Sequence, residues 1–93
     1  MVPLQRLTHI GLCVADLERS LRFYRDRLGF THEHELHVEG EPSDTLLRLR
    51  GVVLDAVYLT RDGVRLELLY FASPPAPPVR ERAMHERGLT HLS

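Results

Sequence analysis

An α+β fold with the element order β-α-β-β-β is predicted by three features of the sequence. The first is an alternating stretch, Leu7 to Val14, that leads through Asp16 into a helical repeat of apolar residues. The second is a pair of β-rich runs, Val52 to Thr60 and Val64 to Phe71, joined by Arg61-Asp62-Gly63, where Asp-Gly is a strong hairpin signal. The third is an echo: Leu7 to Ile10 read LTHI and Leu89 to Leu92 read LTHL, which puts His91 where His9 stood. Self-similarity of this kind marks one supersecondary unit used twice. The expected layout is a module over residues 1–72, a proline-rich linker with a short helix over 73–88, and the first strand of a second, truncated module over 89–93.

In the first strand Thr8, Ile10, Leu12 and Val14 share one side, and His9, Gly11 and Cys13 the other. The apolar side is suited to pack on a helix, and the other to face a cavity in which Gly11 leaves room. Asp16 can cap the helix, whose apolar positions Leu17, Leu21, Tyr24 and Leu28 are spaced by four, three and four. Gly29 is placed to end it as a left-handed cap. Phe30 to Val38 alternates as a second strand, and Gly40-Glu41-Pro42-Ser43-Asp44 breaks it. Thr45 to Arg50 fits a short helical turn or a strand edge. In the fourth strand Arg65, Glu67, Leu69 and Phe71 share a face. Ser73-Pro74-Pro75-Ala76-Pro77-Pro78 cannot continue a sheet, because proline lacks the ladder donor. Val79 to Arg87 is expected to form a short helix closed by Gly88.

Ninety-three residues make one small domain, near the size at which a core alone is marginal, so association with a second copy is plausible from size. The formal net charge of −1, with twelve scattered arginines and no lysine, gives no basis for binding nucleic acid or an anionic membrane. One cysteine excludes an internal disulfide and suits a reducing compartment. No stretch approaches the ~20 apolar residues that a membrane span needs. A cytoplasmic protein is expected.

His9, Glu67 and His91 stand out by residue type and parity. Two imidazoles and a carboxylate suit a divalent metal such as Zn, Ni, Co, Mn or Fe(II). Taken singly, the same residues fit a polar core histidine, a strand carboxylate and a terminal residue. The run His32 to His37 (HEHELH) alternates so that His32 and His34 share a face, and a solvated strand accounts for it better than a second metal site. Cys13 could line the cavity or serve as a small buried hydrophobe. Arg65 could clamp an anionic group of a substrate or pair with a neighbouring acid. Tyr58, Leu69 and Phe71 fit cavity wall or core, and His85 fits solvent.

The pattern LTHIGLCVADLERSLRFYRDRLGF, followed by GVRLELLYF, a proline-rich linker and GLTHLS, resembles the vicinal oxygen chelate superfamily. That group includes glyoxalase I, methylmalonyl-CoA epimerase, extradiol dioxygenases, fosfomycin-resistance enzymes and bleomycin-binding proteins. The resemblance covers nearly the whole chain. It implies paired βαβββ modules whose curled mixed sheets form a cup around one metal, with a helix on the outer face. It also implies His9 and Glu67 as ligands from the first module and His91 as the first ligand of the second, the fourth ligand belonging to a strand beyond Ser93. Either a longer protein or two associated chains, a homodimer, would complete the set. The implied chemistry is that of a metal-dependent isomerase or lyase of glyoxalase or epimerase type. Such an enzyme stabilises an enediolate or enolate of a small carbonyl substrate, with Glu67 as the proton-moving carboxylate and Cys13, Arg65, Leu69 and Phe71 as pocket residues. A metal-free sequestration protein of bleomycin-resistance type and a ring-cleaving dioxygenase are the alternatives.

Overall fold

The computed structural model describes residues 6–93. Strand β1 spans Ile10–Cys13, helix α1 Leu17–Leu21, β2 Thr31–Glu39, helix α2 Ser43–Leu47, β3 Val53–Arg61 and β4 Val64–Ser73. The strands form one open, mixed sheet in the order β1-β4-β3-β2. β1 runs parallel to β4, and the β2–β3 and β3–β4 pairs are antiparallel. The predicted β-α-β-β-β order is therefore present, and Thr45 to Arg50 resolves into the end of α2, as far as Leu47, and a turn.

Each element follows from local chemistry. Asp16 caps α1, with the Arg19 N–H donating to its Oδ1 at 3.1 Å. The expected single helix continues as a π-helical turn over Arg22–Arg27, closed by Leu28 N–H donating to the Phe23 carbonyl at 2.9 Å. Gly29 takes φ +73°, and the Phe30 N–H reaches back six residues to the Tyr24 carbonyl at 2.9 Å, one residue further than in a Schellman cap because the last turn is π-helical. The β3–β4 hairpin turns on Asp62 and Gly63 at φ 51° and 77°, the positive pair that a tight two-residue turn requires. Asp44 closes the β2–β3 connection by accepting from the backbone N–H groups of Gly51 (3.0 Å) and Val52 (2.9 Å).

The core lies between the sheet and the helix. Phe30, Val57, Leu59, Leu66 and Leu68 are buried there, and Leu12, Val14, Leu17, Leu21, Tyr24 and Leu28 pack against them. These are the side chains that the two periodicities assign to facing surfaces, each contributing roughly 1.5–3 kcal/mol when fully buried. The opposite face of the sheet is left open, and it carries His9, Gly11, Glu67 and Tyr58.

Two expectations for the C-terminal segment differ from the structure. Val79 to Arg87 forms no helix, only a turn around Met84 and His85. There the Glu86 carboxylate takes the Ala83 N–H at 2.7 Å and the Arg80 guanidinium at 3.0 Å, side-chain bonds that compete with a helical ladder. Leu89 to Leu92 forms no strand, because no neighbouring strand supplies a ladder for it. Leu89 and Leu92 remain 73% and 50% exposed.

Candidate active site on the open face of the sheet

The parallel register of β1 on β4 sets Gly11 opposite Glu67. His9 lies two residues before Gly11 on the same face, and with no side chain at Gly11 its ring turns towards β4. His9 Nε2 stands 3.2 Å from Glu67 Oε1, with the two side chains 31% and 14% exposed. His9 Nδ1 lies 2.8 Å from Thr8 Oγ1. A hydroxyl both donates and accepts, so Thr8 can hold either imidazole tautomer and can leave the Nε2 lone pair on the side of Glu67.

On the other flank of Glu67, the antiparallel register of β3 on β4 brings in Tyr58. The Tyr58 hydroxyl is directed at the Glu67 carboxylate, whose pull on the phenol proton, with burial and the carboxylate's charge adding to it, holds the phenol above its usual 10.0. Tyr58 meets the His9 ring edge-on, with centroids 5.1 Å apart at 82°, and stacks on His34 at 4.3 Å and 14°. A row His9–Glu67–Tyr58–His34 thus crosses all four strands. Glu67 lies between His9 and Tyr58 within it.

The HEHELH run behaves differently from strict alternation. A β-bulge between His32 and His34 leaves Glu33 unpaired and sets His32 opposite Leu59 on the core side, but His34 opposite Tyr58 on the open side. The two histidines do not share a face. The bulge also lets Glu33 accept from Arg65 Nε (3.2 Å) and Nη2 (3.1 Å), so Arg65 has the acidic neighbour that was one of its two expected roles. His37, exposed to solvent, is bridged by Asp55 at 2.6 Å and Glu39 at 2.7 Å. Chiefly the Asp55 hydrogen bond, and then that of Glu39, holds its pKa above 6.5.

Leu69 and Phe71 are half-buried along the open face, and Cys13 is exposed there rather than a buried hydrophobe. His85 is exposed. His91 is not brought to the pair. It lines a cavity of about 270 Å³ with Ile10, Leu12, Tyr24 and Leu66, on the side of β1 that faces away from His9. The echo survives locally, since Thr90 Oγ1 lies 2.9 Å from His91 Nδ1 as Thr8 does from His9.

The donor chemistry of the His9–Glu67 pair fits a divalent cation. Two ligand atoms each about 2.1 Å from one ion at angles of about 90–110° stand roughly 3.0–3.4 Å apart, and the observed separation of 3.2 Å falls in that range. Among the described residues no group of three His, Cys, Asp or Glu side chains converges on one point. Tyr58 is the member of the row whose contact with the carboxylate the sequence did not single out. Its placement depends on the β3–β4 register, which the Asp62-Gly63 turn fixes.

The sequence and the fold both have known relatives. The chain is 33% identical over 94 residues to the uncharacterized protein YaeR of Escherichia coli, covering the whole of this chain and 62% of YaeR. A glyoxalase family protein from Bacillus cereus superposes with a TM-score of 0.80 at 25% identity, over 95% of this chain and 60% of that one. The protein SMU.1112c shares the fold with a TM-score of 0.59 at 20% identity, over 94% of this chain and 59% of that one. The chain thus spans about three-fifths of the length of these relatives. The model of the glyoxalase/bleomycin resistance protein/dioxygenase superfamily matches residues 6–93. Strand order, open face and sequence agree, and the chain belongs to that superfamily.

Proposed function

We propose that this chain provides half of a divalent-metal site in a lyase or isomerase that acts on a small carbonyl compound. The observation that carries the reading is the His9–Glu67 pair, 3.2 Å apart on the open face and flanked by Thr8 and Tyr58. His9 Nε2 and one Glu67 oxygen hold the metal. The remaining donors come from a second module, through His91 or through the equivalent pair of a second copy in a homodimer. A metal held there would supply Lewis-acid polarisation of the substrate's carbonyl oxygen. Glu67 takes a proton from the carbon beside the carbonyl and returns it to a neighbouring atom. Tyr58, a neutral phenol across the strand pair from Glu67, flanks the carboxylate on the side away from His9. Among the described residues no helix is long and apolar enough to cross a membrane.

Elemental analysis of the full chain tests the reading. A divalent metal should be present, and it should be lost in both His9→Ala and Glu67→Gln. Retention in both variants, or no metal after incubation with Ni, Zn, Co, Mn and Fe(II), refutes it.

A metal-free sequestration role is the second reading, supported by the Tyr58–His34 stack, which offers planar surface for an aromatic ligand. Stabilisation of metal-free protein by a planar aromatic compound, abolished in Tyr58→Ala, would favour it.

A further inference from the structure

A second feature lies beside the His9–Glu67 pair, at the hairpin end of the sheet. A cavity of about 230 Å³ is lined by Arg6, Leu7, Thr8, Thr60, Gly63 and Arg65. Two guanidinium groups, two hydroxyls and a glycine backbone make a lining rich in hydrogen-bond donors. Among the described residues Glu33 is the carboxylate paired with Arg65, and none pairs with Arg6, so the lining keeps a net positive charge. Glu33 engages Nε and Nη2 of Arg65, which leaves donors of the same planar group for a further acceptor.

The cavity connects with the pair in two ways. Arg65 lies two residues before Glu67 on the same face of β4, about 7 Å along the strand. Thr8 lines the cavity and also lies 2.8 Å from His9 Nδ1. An anion bound between Arg6 and Arg65 therefore sits one short side-chain span from the reaction centre, and Thr8 touches both.

We infer that this cavity is an oxyanion subsite, and that the substrate of the neighbouring centre carries a carboxylate or phosphoryl group held there by Arg6, Arg65 and Thr8. The inference rests on reading His9 and Glu67 as the reaction centre, and it narrows the substrate class from a small carbonyl compound to an anionic one. A guanidinium binds either oxyanion through paired N–H donors, so the two remain to be separated by measurement.

The test uses metal-free full chain at constant ionic strength, titrated with inorganic phosphate or with acetate and followed by amide NMR. Saturable shifts at Thr8 and Gly63 are expected with at least one probe. Tighter binding of phosphate identifies a phosphoryl subsite, and tighter binding of acetate a carboxylate subsite. Arg6→Gln and Arg65→Gln should each weaken the preferred probe about tenfold; Arg6 is exposed, so the first variant keeps the fold. No saturable shift with either probe, or shifts of unchanged affinity in both variants, overturns the inference. Metal content of the same preparations reports separately on the His9–Glu67 reading, because neither arm of the titration requires metal or turnover.

Discussion

Gly11 faces Glu67 from the middle of β1, and replacing it separates packing from function. Its backbone is ordinary strand, so the usual explanation for glycine, a positive φ, does not apply. A Cβ at this position would meet Leu69 Cδ1 at 3.4 Å and Glu67 Oε1 at 3.8 Å, ordinary van der Waals contacts. Gly11→Ala therefore introduces no clash, while it removes the entropic cost of glycine in a strand, worth ~0.5–1 kcal/mol. For a domain of this size that corresponds to a rise in Tm of roughly 2–8 °C. The same methyl group intrudes on the space beside the carboxylate that the proposed metal requires. Gly11→Ala should thus be as stable as the parent or more so by thermal unfolding of metal-free protein, yet bind Ni or Zn more weakly in calorimetric titration. A fall in Tm, or a stabilised variant with undiminished metal affinity, would refute the argument that Gly11 is present to leave room at Glu67.

Three other outcomes follow from the geometry. Leu68 is fully buried between sheet and helix, so Leu68→Ala should cost about 2–5 kcal/mol, seen as a lower urea midpoint at unchanged m-value. His37 should titrate above 6.5 by NMR, and Asp55→Asn should bring it down; its contribution to stability is fully present below pH 6.5 and is lost as pH rises through the raised value. The Tyr58 phenol should titrate above 10.0, and Glu67→Gln should lower that value by removing the neighbouring negative charge; no change would place Tyr58 elsewhere.

Much of the site was legible in the chain because strand parity is a local property. The alternation in Leu7 to Val14 and Val64 to Phe71 assigns His9, Gly11, Glu67, Arg65 and Cys13 to one face, and all lie there. Parity fails where the backbone breaks its period. The bulge in β2 is not announced by any glycine or proline in HEHELH, and it separates His32 from His34 while bringing Glu33 to Arg65. The π-helical turn over Arg22–Arg27 likewise has no signature in the apolar spacing. Tyr58 was legible as a wall residue, but its place beside Glu67 depends on the pairing of two strands.

The sequence by itself determined the order of elements up to β4, the hairpin, the helix cap and the face on which the polar residues of β1 and β4 lie, since these depend on turn chemistry and side-chain period over a few residues. Only the tertiary structure decided which of those residues meet. Strand order puts β4 between β1 and β3, so Glu67 lies between His9 and Tyr58, 58 and 9 positions away along the chain. His91 shares the local geometry of His9 but lies on the far side of β1, because a repeated four-residue motif specifies a backbone conformation and not the neighbour against which it packs.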